Sequence, residues 1–119
     1  MKKIILTLFA LILSTSCHAE VPASQVAEWK KQYSQGNVVG LDVRTAVELK
    51  INPSPGAQHQ SYLNLTPFIE KGDKSKTIYV FCESGGRSAK AKTKLEKAGF
   101  KNVVNITDWR TWNKITSKK

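Results

Sequence analysis

The most restrictive feature of the sequence is an uninterrupted apolar run that ends on a cysteine and leads into a helical pattern. Residues 77–81 lack the polar alternation of a strand with one face in solvent, so they predict a strand buried on both faces. Cys82 ends this run, Gly85 and Gly86 follow, and a helical pattern covers residues 87–98. The chain must therefore turn sharply between a buried strand and a helix.

The same alternation of short apolar strands with helices runs through most of the chain. Further strands are predicted over 38–43 and 102–106, and a further helix over 22–33. Three more helices are predicted to start at Thr45, at Thr66 with Pro67 in first position, and at Asp108. Thr45 and Glu48 have the spacing of a capping box. The pattern predicts one α/β domain with a central, mainly parallel sheet flanked by helices. Ligands of such sheets bind beyond the carboxyl ends of the strands, where Cys82 lies.

Residues 1–19 have the features of an export signal. Lys2 and Lys3 precede an apolar stretch over 4–13, and small or polar residues lead to a cleavage position after Ala19. The apolar stretch is too short to span a bilayer, so we expect a periplasmic protein with residues 20–119 as its single domain and no transmembrane segment after cleavage. One alternative is a lipid anchor on Cys17, and another is a buried N-terminal helix.

The chain is strongly basic, with a formal net charge of +10. A basic surface attracts anions, acidic proteins or lipid head groups, and export argues against nucleic acid as a partner. Lys90, Lys94 and Lys97 share one face of the helix predicted after the glycines. This face is either solvated or a docking surface for an acidic protein partner.

Cleavage after Ala19 would leave Cys82 as the only cysteine, without an internal disulfide partner. Such a residue is either a buried apolar side chain or a free thiol kept for its reactivity. Gly85 and Gly86 allow positive φ, so successive amides of the loop can point inward and form an anion cradle at the helix start. That field favours a thiolate, whereas the carboxylate of Glu83 opposes it.

Four segments, in this order along the chain, resemble the rhodanese family of sulfurtransferases. CESGGRS (82–88) resembles the active loop C-x-x-G-x-R-S of the family. LDVRTAVEL (41–49) is similar to its Asp-x-Arg strand end, PGA (55–57) to its Pro-Gly-Ala turn, and LEKAGFKNVVNI (95–106) to its helix, turn and strand. The closest type is the small single-domain rhodanese that is exported to the periplasm.

The resemblance implies a rhodanese-like fold and a two-step transfer of sulfur through a persulfide on Cys82. The donor would be a small anion such as thiosulfate, and the acceptor cyanide or a thiol; no metal or organic cofactor is implied. Arg87 would act electrostatically on the loop and the substrate, while Asp42 and Arg44 would support the site or form a structural ion pair. The residues implied in holding the persulfide are Glu83, Ser84, Gly85, Gly86, Arg87 and Ser88.

The length of the loop separates two reaction classes. Residues 83–86 lie between Cys82 and Arg87, whereas the related cysteine phosphatases and arsenate reductases use five residues to cradle a tetrahedral oxyanion. The shorter loop suits a single sulfur atom and argues against a phosphatase.

Two departures from the family pattern keep a second function open. Many rhodaneses have Gly-Gly after the last strand, where this chain has Thr107 and Asp108. The family's usual histidine before Pro-Gly-Ala is absent, and His59, after that turn, is assigned no role. Trp109 either lines the entrance of the site or, with Trp112, covers the core. Because Glu83 also lies next to the cysteine, the alternative is a non-enzymatic module that carries persulfide to a partner or binds an anion or a protein.

Overall fold

A computed structural model describes residues 20–118, in which helices and strands alternate. The proposed export signal and Cys17 lie outside the described residues. The elements are α1 (Ala23–Ser34), β1 (Val38–Asp42), α2 (Ala46–Ile51), β2 (Gln58–His59), α3 (Thr66–Lys71), β3 (Thr77–Cys82), α4 (Gly86–Lys97), β4 (Asn102–Asp108) and α5 (Trp109–Thr116).

The four strands form one parallel sheet in the order β2-β1-β3-β4, which confirms the predicted α/β architecture. β2 was not predicted, because two residues are too few for a period-2 pattern to show. The chain first moves outward from β1 to β2 and then returns to the other side of β1 with β3. The strand order therefore reverses between β1 and β3, and ligands of open α/β sheets bind at such a point.

β3 is buried on both faces, as its composition predicted. Ile78, Val80 and Cys82 belong to one apolar core, and Tyr79 and Phe81 belong to the other. Each of the five residues is at most 1% exposed. Because successive side chains of a strand point to opposite faces, Cys82 faces the first core.

Helices cover both faces of the sheet. On the Cys82 side, Ala91 and Leu95 of α4 are fully buried. On the other side α1 packs beside α5, whose Trp112 is fully buried and stacks on Phe81 with 5.5 Å between ring centroids. The ring of Trp112 occupies the space that a Cβ would take at Gly40. The expectation that Trp112 covers the core is therefore confirmed.

The predicted helix starts are correct to within a residue. Thr45 and Glu48 form both hydrogen bonds of a capping box at the start of α2. α3 begins at Thr66 rather than at Pro67, which occupies the second position. Within residues 20–118, no helix is long and apolar enough to cross a membrane.

Candidate active site

The candidate site lies where the strand order reverses, at the carboxyl ends of β1 and β3. Asp42 ends β1 and pairs in the sheet with Phe81, the residue before Cys82. The chain leaves β3 through residues 83–85 and enters α4 at Gly86. The active-loop cysteine predicted from the sequence thus stands between a strand end and a helix start.

Hydrogen-bond donors of the loop and of α4 converge on the Cys82 sulfur. The amide of Gly85 donates to Sγ at 3.1 Å and the amide of Ser88 at 3.4 Å. The hydroxyl of Ser88 also lies 3.4 Å from Sγ. Cys82 is 1% exposed and forms no disulfide, so it is both buried and a free thiol.

These donors change the acidity of the thiol. Burial alone raises the pKa of Cys82, because it disfavours the charged form. Hydrogen bonds from Ser88 and from the amides of Ser84 and Gly85 outweigh burial, so the pKa lies below its ordinary value. The site therefore favours the thiolate, which is the nucleophilic form.

Only one of the two glycines needs the freedom that the sequence analysis gave to both. Gly85 has φ +101°, and a Cβ there would approach Cγ2 of Thr107 to 3.3 Å. Gly86 is the first residue of α4, and a Cβ there would have no heavy atom within 4 Å. The chain thus uses the permitted positive φ at Gly85 and does not use it at Gly86.

Asn105 contacts the loop of the site and was not predicted from the sequence. Its Oδ1 accepts from the Thr107 amide at 3.0 Å, and its Nδ2 donates to the Gly85 carbonyl at 3.2 Å. Since both backbone partners have fixed roles, the orientation of the amide is settled, and Oδ1 must accept from the Ser88 hydroxyl at 2.7 Å. The Ser88 proton therefore has two acceptors within reach, Asn105 and the Cys82 sulfur.

No local pattern identified Asn105, because it lies in a strand that is read as buried and its partners are distant in sequence. The contacts of Asn105 depend on a β-bulge in β4. Val80 pairs with Asn105, but Phe81 pairs with Thr107, so Ile106 is an extra residue in β4. The bulge re-aims the residues around it toward the loop.

Glu83 is bound by two residues at the start of α5, Trp109 and Arg110. Nε1 of Trp109 donates to Glu83 Oε1 at 3.0 Å, and Nη2 of Arg110 donates to Oε2 at 3.0 Å and to the Glu83 carbonyl at 2.9 Å. The Arg110 guanidinium also lies 4.8 Å from the centroid of the Trp109 ring. Trp109 therefore packs against the same core as Trp112, as one alternative predicted, and also contacts the loop of the site.

Arg87 forms a two-pronged ion pair with Glu48 of α2, at 2.7 and 2.8 Å. This contact and hydrogen bonds from Thr45 outweigh burial and lower the pKa of Glu48 to about 2. Hydrogen bonding to Glu48 raises the pKa of Arg87, burial opposes this, and the charge of Cys82 adds to the rise. Arg87 thus interacts electrostatically with the Cys82 thiolate while its guanidinium binds the Glu48 carboxylate. Its predicted role toward the substrate stays a prediction.

Asp42 and Arg44 form a fully buried ion pair with 2.7 Å between Nη2 and Oδ2. The Ser54 hydroxyl donates to the same carboxylate at 2.8 Å, and Arg44 Nη2 donates to the Asn52 carbonyl at 2.6 Å. The pair therefore ties the end of β1 to the turn that precedes β2. This geometry favours the structural alternative, in which the two residues support the site without touching substrate.

Other features of the described chain lie outside the loop. Two surface cavities of about 460 and 480 Å³ are lined by residues around β2 and α3 and around the start of α1, and neither includes a residue of the 82–88 loop. Within residues 20–118, no three His, Cys, Asp or Glu side chains cluster as metal ligands would.

The chain is similar to known proteins. A family model of the rhodanese-like domain matches residues 25–114. Thiosulfate sulfurtransferase 16, chloroplastic, of Arabidopsis thaliana is 37% identical over 87 residues, which cover 62% of this chain and 72% of that protein. The tRNA uridine(34) hydroxylase of Pelagibacter ubique is 32% identical over 82 residues, covering 66% of this chain and 27% of the hydroxylase.

A solved structure shows the same fold. The crystal structure of a rhodanese-like domain protein from Staphylococcus aureus superposes with a TM-score of 0.63 at 27% identity, covering 73% of this chain and 86% of that one. The match over residues 25–114 includes the whole loop and all four strands.

Proposed function

The chain belongs to the rhodanese-like domain family, and on that premise we propose that it is a sulfurtransferase in which Cys82 carries the sulfur as a persulfide. The family and its sulfurtransferase members support sulfur transfer in general. The observation that carries the finer proposal is the convergence of the Gly85 and Ser88 amides on Sγ.

In the first step the Cys82 thiolate attacks the outer sulfur of a small anionic donor such as thiosulfate. A bond forms between Sγ and the outer sulfur, the bond between the two donor sulfurs breaks, and sulfite leaves with its electron pair. The lowered pKa of Cys82 supplies the thiolate. Because Cys82 is 1% exposed, the site favours a donor that presents a terminal sulfur atom over a bulkier electrophile.

In the second step a thiol or cyanide attacks the outer sulfur of the persulfide and regenerates the thiolate. Amides of the 83–88 loop and the start of α4 stabilise the negative charge in both steps, because they are fixed in place before the reaction. Arg87 acts on this charge from its pair with Glu48. No cofactor takes part in the proposed steps.

Intact-mass spectrometry tests the proposal. Incubation of the purified protein with thiosulfate should add one sulfur atom, and later addition of cyanide should remove it as thiocyanate. Cys82→Ser should abolish both signals while leaving the circular dichroism spectrum unchanged. Absence of the adduct and of thiocyanate from the wild-type protein would contradict the proposal.

We further propose that residues 1–19 direct export to the periplasm and are removed after Ala19. The protein recovered from a periplasmic fraction should then have the mass of a chain that begins at Glu20. A lipid mass on Cys17 would support anchoring instead, and a chain that retains residues 1–19 in the cytoplasm would contradict export.

A second candidate function is a module that carries the persulfide to a partner protein. Val47 and Ile51 share one face of α2 and are 67% and 71% exposed, next to the Glu48 that binds Arg87. This exposed apolar face suits a partner with an apolar surface, and Lys90, Lys94 and Lys97 of α4 suit a partner with acidic groups. Saturating multiple turnover with small donors and acceptors would favour the enzyme, whereas transfer only to a protein thiol would favour the carrier.

A further inference from the structure

Every arginine that surrounds the Cys82 loop is paired with a carboxylate. Arg44 binds Asp42 at 2.7 Å, Arg87 binds Glu48 at 2.7 Å, and Arg110 binds Glu83 at 3.0 Å. These side chains together contribute no net charge to the site. Donors to an incoming anion are then chiefly backbone amides and the start of α4.

A fourth carboxylate, that of Asp108, adds further negative charge near the loop. Asp108 caps α5 by accepting from the Thr111 amide at 2.8 Å, and its Oδ1 lies 4.0 Å from Nε of Arg110. A site built for a dianion would gain from an arginine without a carboxylate partner, because a doubly charged ligand interacts twice as strongly with each charge. None of these three arginines is of that kind.

The three pairs differ in how far they can influence a substrate. Asp42 and Arg44 are fully buried, and the Glu48 pair joins α2 to α4. The Glu83–Arg110 pair is the most exposed, with side chains 43% and 42% accessible, and its carboxylate belongs to the residue after Cys82. Of the three pairs, this one is therefore the most accessible to an anion that arrives from solvent.

We propose that the Glu83–Arg110 pair sets the charge selectivity of the site, so that singly charged sulfane donors react in preference to dianionic thiosulfate. This inference rests on the proposed persulfide chemistry and narrows its donor class to thiosulfonates and organic persulfides. Arg110 cancels the charge of Glu83, and Trp109 holds the carboxylate in place through Nε1.

The chemistry is balanced for either class of donor. With methanethiosulfonate, the Cys82 thiolate bonds to the terminal sulfur, the bond between the two donor sulfurs breaks, and methanesulfinate leaves with its electron pair. With thiosulfate the same bonds form and break, and sulfite leaves. The two donors differ by one oxygen anion replaced by a methyl group, so they differ in charge while nearly matching in shape.

The test compares kcat/KM for these two donors in wild type, Glu83→Gln, Arg110→Gln and the double variant at low ionic strength. Glu83→Gln leaves the Arg110 charge without its carboxylate and should raise the thiosulfate-to-methanethiosulfonate ratio about three- to tenfold, the size expected of one partly exposed charge. Arg110→Gln should lower the ratio by a similar factor. The double variant should return it near the wild-type value, and added salt should shrink all differences.

Glu96→Gln is the matched control. Glu96 pairs with Lys92 on the exposed side of α4, so its loss changes the net charge equally but outside the loop, and the ratio should stay at the wild-type value. An unchanged ratio in both single variants, or an equal loss for both donors, would overturn the inference and leave a purely structural pair. Failure of both donors to persulfidate wild-type Cys82 is a separate result that would overturn the proposed function itself.

Discussion

Cys82 lies between two residues with left-handed backbone, which are of different residue types. Gly85 has φ +101° and its amide donates to Sγ, whereas Thr107 has φ +82° and its carbonyl oxygen lies 4.0 Å from Sγ. The two residues are neighbours, because a Cβ added at Gly85 would stand 3.3 Å from Cγ2 of Thr107. One position uses glycine and the other a β-branched residue.

The cost of the conformation separates the two positions. Glycine adopts positive φ without steric conflict, whereas a residue with a Cβ loses roughly 1–2 kcal/mol there. Thr107 is held by the bulge of β4 and by Asn105, which accepts from its amide. The same Asn105 side chain donates to the Gly85 carbonyl, so one amide group holds both left-handed residues beside the sulfur.

The largest effect is expected from Gly85→Ala. Alanine at this position would incur the steric cost of positive φ that Thr107 already incurs, and its Cβ would press against Thr107. The free energy of unfolding should therefore fall by about 2 kcal/mol. The Gly85 amide would also shift from Sγ, and the rate of Cys82 alkylation by iodoacetamide at neutral pH should fall. Urea denaturation and the alkylation rate measure the two effects.

Gly86→Ala is the matched control for that substitution. Gly86 is helical and has open space around the position of a Cβ, so alanine should leave stability unchanged or raise it by about 0.5–1 kcal/mol. Equal losses in both variants would show that the loop simply resists any side chain. That result would mean that the two glycines do not differ in backbone requirement.

The two sides of the sulfur also differ in how well the sequence predicted them. The strand, the cysteine and the glycines of residues 77–86 are consecutive, so their order alone predicted a buried strand, a thiol at its end and a tight turn. The capping box at Thr45 was predicted for the same reason, since its partners are three residues apart. Local spacing determines such features.

The β4 side could not be predicted, because its contacts join residues that are distant in sequence. Glu83 meets Arg110 27 residues later, and Ser88 meets Asn105 17 residues later. The bulge that aims Asn105 adds one residue to a strand of ordinary composition. The sequence shows that the family's two glycines are absent after β4. It does not show that Thr107 adopts a positive φ, because that conformation depends on the folded sheet.

Asn105→Asp should have the next largest effect, and it tests whether the β4 side tunes the thiol. A carboxylate at this position repels the thiolate and competes more strongly for the Ser88 proton. A like charge so close should slow the reaction of Cys82 with iodoacetamide at neutral pH about tenfold. The pH profile of alkylation should move to higher pH.

Asn102→Asp, at the exposed start of the same strand, controls for the change in net charge. It should leave the alkylation profile where it is in the wild-type protein. If Asn105→Asp also leaves the profile in place, Asn105 holds the backbone without influencing the sulfur.

The smallest effect is a gain in stability from Thr107→Gly. Glycine removes the left-handed cost of roughly 1–2 kcal/mol but gains about 0.5–1 kcal/mol of unfolded-chain entropy, so the net increase should be about 0.5–1 kcal/mol. Thr107→Ala keeps a Cβ and therefore the cost, so it should give no such gain in urea denaturation. An equal gain for alanine would place the strain in the Thr107 side chain, against Gly85, rather than in its backbone. A gain for glycine alone would show that the two residues beside Cys82 differ in backbone cost, as their φ values and side chains indicate.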